Sequence, residues 1–300
     1  MRTATVIGAG AAGSIHARLL AERGYTVCIY DADAGHAAKL AARVQGTATQ
    51  SPLHEADITV VAVPTAHHYQ YIRLLLDEGR TVVSEKPLCL YPEQAVEVAG
   101  TSGGRLYIAE SQGYGADQAA QREQVRGGYY GDEVLWRVAA MSPYKSQAWS
   151  YDLYQGGGAF LEGGVHVATV ARMLFGKAVN WQGMFRCFAG GSGPDTGQLA
   201  IEYEDGDMLT LQIAWGTAGC WSGACEPLPN VAGLVGSVRC APWWPGDNHA
   251  AMWDALLPAI EAGTQPLVTA DDAAGAVADV WRCYRAGGYG YAQYVEPGRE

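Results

Sequence analysis

The sequence predicts a doubly wound parallel α/β domain over residues 1–118, followed over residues 119–300 by an α+β domain with an open, mostly antiparallel sheet. Three observations predict it. Through the first part of the chain, short β-branched or apolar runs alternate with amphipathic helical stretches, the pattern of a parallel sheet covered on both faces. A GxGxxG turn joins the first run to the first helix. Beyond about residue 119 the texture changes to strands of period two, two of them joined by an Asp205-Gly206 turn.

Composition sets the bounds. At 300 residues the chain is long enough for one large domain or two ordinary ones, and 49% hydrophobic with 17% charged residues describes a globular protein. A net charge of -11 with only 20 Lys and Arg argues against a nucleic-acid partner. No apolar run has membrane length, and MRTATVIGAG reads as the start of a strand and not as a signal peptide, so a cytoplasmic protein is expected. The cysteines at 28, 89, 187, 220, 225, 240 and 283 are odd in number and scattered, which favours free buried thiols. Cys220 and Cys225 flank a loop where a metal or a disulfide is the weaker alternative.

The first elements are read from TATVIGAGAAGSIHARLLAERGYTVCIYDAD: a strand, a glycine turn, a helix with Ile15, Leu19 and Leu20 on one side, and a strand at Thr26 to Tyr30. Gly8 permits the tight turn, Gly10 lets backbone approach a pyrophosphate, and Gly13 lets the helix pack on the strand. Ala11 and Ala12 complete the cofactor loop. Asp31, eighteen residues beyond Gly13, stands where a carboxylate accepts from an adenosine ribose, with Ala32 beside it. That carboxylate would repel a 2'-phosphate, so NAD is favoured; Lys39 and Arg43, a turn or more along the next helix, leave NADP open.

Two more buried strands follow, within ADITVVAVP at 56–64 and RTVVSEKP at 80–87, separated by a helix over 67–78. Ligands of such sheets sit beyond the strand carboxyl ends, where Val63, Pro64, His67, His68, Glu85 and Lys86 fall. The histidines serve equally as helix caps, and Glu85 with Lys86 equally as a surface pair. A lysine at a strand end beside a nicotinamide can instead bond a substrate hydroxyl and steady the alkoxide formed as hydride leaves.

In the second part, GDEVLWRVAAM at 131–141 alternates like a strand, and residues 198–215 read as a hairpin. Residues 219–248 are rich in Gly, Pro, Cys and Trp, a loop where Trp243 and Trp244 either stack on a sugar-like ring or simply pack. Two helices close the chain, the second capped by Thr269 or Asp271. GGGAFLEGGVH at 156–166 sets Glu162 and His166 four apart, on one face of a helix. A metal site needs a third ligand and a phosphate loop a GK[ST] ending; neither accompanies it. An acid-base role fits best, with His166 taking a hydroxyl proton as hydride passes to NAD and Glu162 orienting or supporting it.

These pieces together resemble the glucose-fructose oxidoreductase and inositol dehydrogenase family, Gfo/Idh/MocA. The resemblance rests on GAGAAGSIHARLL at 8–20, VAVPTAHH at 61–68, EGRTVVSEKPL at 78–88, YIAESQGYGADQ at 107–118, GGGAFLEGGVHVATVARMLFG at 156–176 and AGLVGS at 232–237. It implies a Rossmann domain and an NAD(P)-dependent dehydrogenase or ketoreductase acting on a sugar, cyclitol or similar polyhydroxylated molecule. Lys86 then matches the active-site lysine and His166 the catalytic histidine. Pro64 and Glu85 match positions near the nicotinamide, Gln112 lies in a segment that approaches the ring, and His68 matches a histidine four residues after the proline; His67 has no match. His16 also fits the pattern and is read as a structural helix histidine. Glu162 departs from the family's aspartate, and SQGYGADQ replaces its arginine- or asparagine-bearing stretch, so polyol contacts do not carry over. A homo-oligomer, dimer or tetramer, is implied by the resemblance alone. A redox-assisted elimination, glycosidic cleavage or epimerisation with tightly held NAD is the alternative, and a catalytically silent sensor a third, against which Lys86 and His166 both speak.

Overall fold

A computed structural model describes residues 2–142, 147–216, 236–239 and 248–290. The first domain runs β1 (Thr3–Ile7), α1 (Ala11–Glu22), β2 (Thr26–Tyr30), α2 (Ala34–Arg43), a two-residue β3 (Thr47–Ala48) and β4 (Ile58–Val61). A 3-10 turn (Thr65–His67) then leads into α3 (His68–Asp77), β5 (Val82–Glu85), α4 (Pro92–Thr101) and β6 (Leu106–Ala109). The six strands form one parallel sheet in the order β3-β2-β1-β4-β5-β6. Every residue of β4, β5 and β6 is buried, as near-continuous apolar strands between two helical layers must be. The order reverses between β1 and β4, which are in register at Ile7 and Val61, so the loops after them flank one crevice.

After β6 come a 3-10 turn (Ser111–Tyr114) and α5 (Ala116–Arg126), and the second sheet begins with β7 (Leu135–Ser142). A turn of π-helix (Phe160–Gly164) runs straight into α6 (Val165–Phe175), and β8 (Ala178–Arg186), β9 (Thr196–Tyr203), β10 (Met208–Trp215) and β11 (Gly236–Arg239) follow. The expected hairpin is present, with β9 and β10 antiparallel around Asp205-Gly206. The sheet as a whole, ordered β11-β7-β10-β9-β8, is mixed and not mostly antiparallel: β7 pairs with both β10 and β11 in parallel. The reason is the path from β7 to β10, which passes through α6, β8 and β9, a crossover and not a hairpin. Leu199, Ile201, Leu209, Leu211 and Ile213 bury one face against the helices, while Ala200, Thr210, Gln212 and Ala214 lie on the other, open face.

The chain ends with α7 (His249–Ala262) and α8 (Ala270–Ala286), the latter started by a capping box of Thr269 and Asp272. Although α7 follows the second sheet, it buries Met252, Trp253, Leu256 and Leu257 in the core of the first domain. Helix α8 packs on α4 of the first domain and on α6 and β8 of the second. Cys28, Cys89 and Cys283 are free and buried, and Cys187 is free and half-buried; Cys220, Cys225, Cys240, Trp243 and Trp244 lie outside the described residues. Among the described residues no helix is long and apolar enough to cross a membrane.

Candidate active site

The glycine turn after β1 is held by contacts that only glycine allows. Gly8 has φ +106°, and a Cβ there would lie 2.4 Å from the Ala62 carbonyl oxygen of the β4 loop; a Cβ at Gly13 would lie 1.9 Å from the Gly8 oxygen. At Gly10, by contrast, a Cβ would meet nothing within 4 Å, and no side chain caps the start of α1. Gly10 and Ala11 are exposed. Uncapped N–H groups at a helix start, facing open space, suit a pyrophosphate. Asp31 closes β2 beside them: its carboxylate accepts from Ala9 N at 2.7 Å and from Asp33 N at 2.8 Å, with lone pairs left for ribose hydroxyls. Asp33 caps α2 through Gly35 N and His36 N, putting a second acidic group next to Asp31. Ala32 and Pro64 are exposed and Val63 half-exposed around the same crevice. These residues fit a bound NAD.

At the end of β5 the chain forms a tightly bonded strap. Glu85 is 6% exposed; its Oε2 accepts the Lys86 N–H at 3.1 Å and its Oε1 faces His16 Nε2 at 2.8 Å. Trp253 donates its indole N–H to His16 Nδ1 at 3.1 Å, so His16 is the neutral tautomer with its proton on Nε2, donated to Glu85. Burial alone would raise the Glu85 pKa; the His16 hydrogen bond, with the charge of Lys86 and others, outweighs it and holds the carboxyl at about 2. His68, 1% exposed, braces the other side, with Nδ1 2.7 Å from the Pro87 oxygen and Nε2 2.8 Å from the Val63 oxygen. Burial lowers its pKa against the pull of those two carbonyls. His68 and Glu85 are buried and face protein partners, so in this structure they brace the strap. His16 is structural, as the sequence suggests, and is also part of this strap.

The strap aims Lys86 across to the second domain. Its Nζ donates to the Glu162 carbonyl oxygen at 2.9 Å and lies 3.9 Å from Glu162 Oε1, with Lys86 18% and Glu162 20% exposed. Glu162 belongs to the π turn and not to an α-helix as the sequence implies; the Gly163-Gly164 pair supplies little helical preference, and a Cβ at Gly164 would come within 3.0 Å of Leu211. Before that turn, Gly157 and Gly158 take φ +77°, and Ala159 N donates to the Pro194 oxygen at 2.7 Å, docking the helix start on the segment before β9.

His166, the second residue of α6, is 6% exposed. The carboxylate on its Nδ1 comes from Glu110, at 2.6 and 2.7 Å from the two oxygens; Glu110 is fully buried and follows β6 directly. Glu110 Oε1 also accepts the N–H of Gln112 at 3.0 Å, which holds the 3-10 turn carrying that half-exposed residue. Sequence reasoning missed Glu110 and Trp253. Glu110 stands at a strand carboxyl end, the one signal that pointed to Lys86; Trp253 offered only an aromatic on an apolar helix. Among the described residues no three His, Cys, Asp or Glu converge on a metal position.

Lys86 can bond a hydroxyl or its oxyanion, and His166 can exchange a proton. Both stand at the seam between the domains, next to a crevice fitted to a dinucleotide. Residues 2–102 match the oxidoreductase family with an NAD-binding Rossmann fold, and residues 119–237 match the GFO/IDH/MocA C-terminal domain. The D-glucoside 3-dehydrogenase of Escherichia coli is 29% identical over 134 residues, 41% of this chain and 38% of that protein. A putative UDP-kanosamine synthase oxidoreductase subunit of Amycolatopsis mediterranei is 29% identical over 186 residues, 58% of this chain and 52% of that protein. The chain thus spans about two fifths to half the length of these curated relatives. In fold it is similar to GenD2 of gentamicin A biosynthesis, solved with NAD, at TM-score 0.80, 22% identity and coverage of 96% of this chain and 94% of that one. It is also similar to the WlbA dehydrogenase of Bordetella pertussis, solved with NADH and UDP-GlcNAcA, at TM-score 0.81, 18% identity and coverage of 95% and 96%. With both domains matched in chain order and the dinucleotide crevice built as that match requires, the chain belongs to the GFO/IDH/MocA family of NAD-binding oxidoreductases.

Proposed function

We propose that the protein oxidises a secondary hydroxyl of a sugar, cyclitol or similar polyhydroxylated molecule, or reduces the corresponding ketone, with His166 as acid and base and Lys86 steadying the reacting oxygen. The observation that carries this reading is the pair of links across the domain seam: Lys86 Nζ to the Glu162 oxygen at 2.9 Å and Glu110 to His166 Nδ1 at 2.6 Å. They tie the ends of β5 and β6 to the π turn and to α6, with Lys86 bonded to the residue four before His166.

In the oxidising direction bound NAD supplies the hydride acceptor. The Lys86 ammonium donates to the substrate hydroxyl oxygen and favours the alkoxide-like charge that grows on it. His166 Nε2 takes the hydroxyl proton, the O–H electron pair becomes the second C–O bond, and the C–H pair would leave with its hydrogen as hydride to NAD. In reverse, the protonated ring returns the proton to the ketone oxygen. Glu162, partly exposed beside Lys86, would accept from a neighbouring substrate hydroxyl. The sugar-acting names of the matched relatives support the substrate class, and the family's NAD-binding first domain supports the hydride acceptor. The open face of the second sheet, with Met184 65% and Met208 40% exposed, is the surface through which copies of the chain would pair.

A panel of glucosides, nucleotide sugars, inositols and amino sugars, offered with NAD and followed by the absorbance of reduced nicotinamide, tests the reading. Stoichiometric reduction by one class is expected, and Lys86→Ala should lower kcat at least about 100-fold while NAD still binds. Substrate conversion without accumulated reduced nicotinamide would overturn net oxidation in favour of redox-assisted chemistry.

A further inference from the structure

Two buried histidines in this protein each meet a buried carboxylate, His16 through Nε2 and His166 through Nδ1. His16 uses both ring nitrogens, donating to Glu85 and accepting from the Trp253 indole, so it has no lone pair to give to a proton. His166 meets both oxygens of Glu110 through Nδ1. A carboxylate only accepts, so Nδ1 must carry hydrogen, and in the neutral ring the lone pair then resides on Nε2.

We propose that Glu110 is a positioning residue that fixes the tautomer of His166 and stabilises its protonated ring. This rests on the reading of His166 as acid and base. Glu110 is suited to the task by where the fold puts it. It is the first residue past β6, its Oε1 is pinned by the Gln112 N–H at 3.0 Å, and it is 0% exposed, so no water competes for the ring. A buried carboxylate gains most from a neighbouring positive charge, so the imidazolium formed when Nε2 takes a proton is favoured by the group that orients it. Tyr114, near by in the chain, does not compete for that proton: burial, with the Glu110 charge adding, pushes its phenol up to about 12 and keeps it neutral.

Histidine-labelled, NAD-loaded protein followed by nitrogen NMR across pH tests this without need of a known substrate, with His166→Asn to assign the signal. Wild type is expected to show His166 protonated at Nδ1. Glu110→Gln should lower its titration midpoint by about one unit or more and erode the tautomer preference, as loss of an adjacent opposite charge does. Glu110→Asp should keep the tautomer and lower the midpoint by less. In the panel assay Glu110→Gln should lose at least ~100-fold in kcat/KM with NAD binding kept, the direction seen when an orienting carboxylate becomes an amide. An unmoved midpoint and tautomer in Glu110→Gln would overturn the proposal. If the amide prevents folding, Glu110→Asp decides, and an unmoved midpoint there overturns it. A fully active His166→Asn protein would instead remove the acid-base reading, leaving the NMR result to stand by itself.

Discussion

Asp31 braces the glycine turn by accepting from Ala9 N, and the same carboxylate is proposed also to hold the cofactor's ribose. Hydrogen bonds to a charged group are worth about 1.5–3 kcal/mol. Replacing Asp31 with Ala should therefore weaken NAD about tenfold or more while weakening NADP less, since the repulsion toward a 2'-phosphate goes with it; titrations of both cofactors read the difference. An unchanged preference would contradict the ribose assignment. Asp31 was legible from sequence because its place depends on local spacing, strand, turn, helix, strand. Glu110 was not, because its meaning is a bond to a histidine 56 residues away, and no periodicity in LYIAE announces it.

The element that organises the site is the strap after β5. Its backbone is fixed from three sides, by Glu85 within it, His16 from α1 and His68 from α3, and it delivers Lys86 to the π turn before α6. The strap has a signature in acid. Glu85 is held at about 2, below the ordinary glutamate value of 4.5, so its contribution to stability is fully present above 4.5 and is lost as pH falls through about 2. Glu85→Gln should flatten the fall in Tm over that interval; a wild-type slope in the variant would contradict the ion's role. Alternating strands and helices were readable here because burial on both faces writes apolar runs into the sequence. The π turn was not: the four-residue spacing of Glu162 and His166 reads as α-helix, and only packing of Gly164 against β10 shows otherwise.

At the scale of the whole molecule, the two domains are joined by helices that arrive late in the chain. The change in strand pattern suggests a boundary near residue 118, yet α7, far beyond it, packs in the core of the first sheet and inserts Trp253, wholly buried, against His16. Trp253→Phe keeps an aromatic group but removes the indole donor and some buried volume, leaving His16 Nδ1 unsatisfied, and should cost at least about 1–3 kcal/mol in denaturant unfolding. A loss no larger than that of an exposed substitution would contradict the clasp. With α7 and α8 joining the two domains, the proposed reaction has Lys86 and His166 act on one reacting carbon and its oxygen. The most direct test of that claim is a single turnover of a panel substrate deuterated at the reacting carbon, by NAD-loaded wild type and by His166→Asn. Deuterium should appear in the reduced nicotinamide formed by wild type and almost none should form with His166→Asn; a nicotinamide without deuterium, or an undiminished rate in the variant, would contradict it.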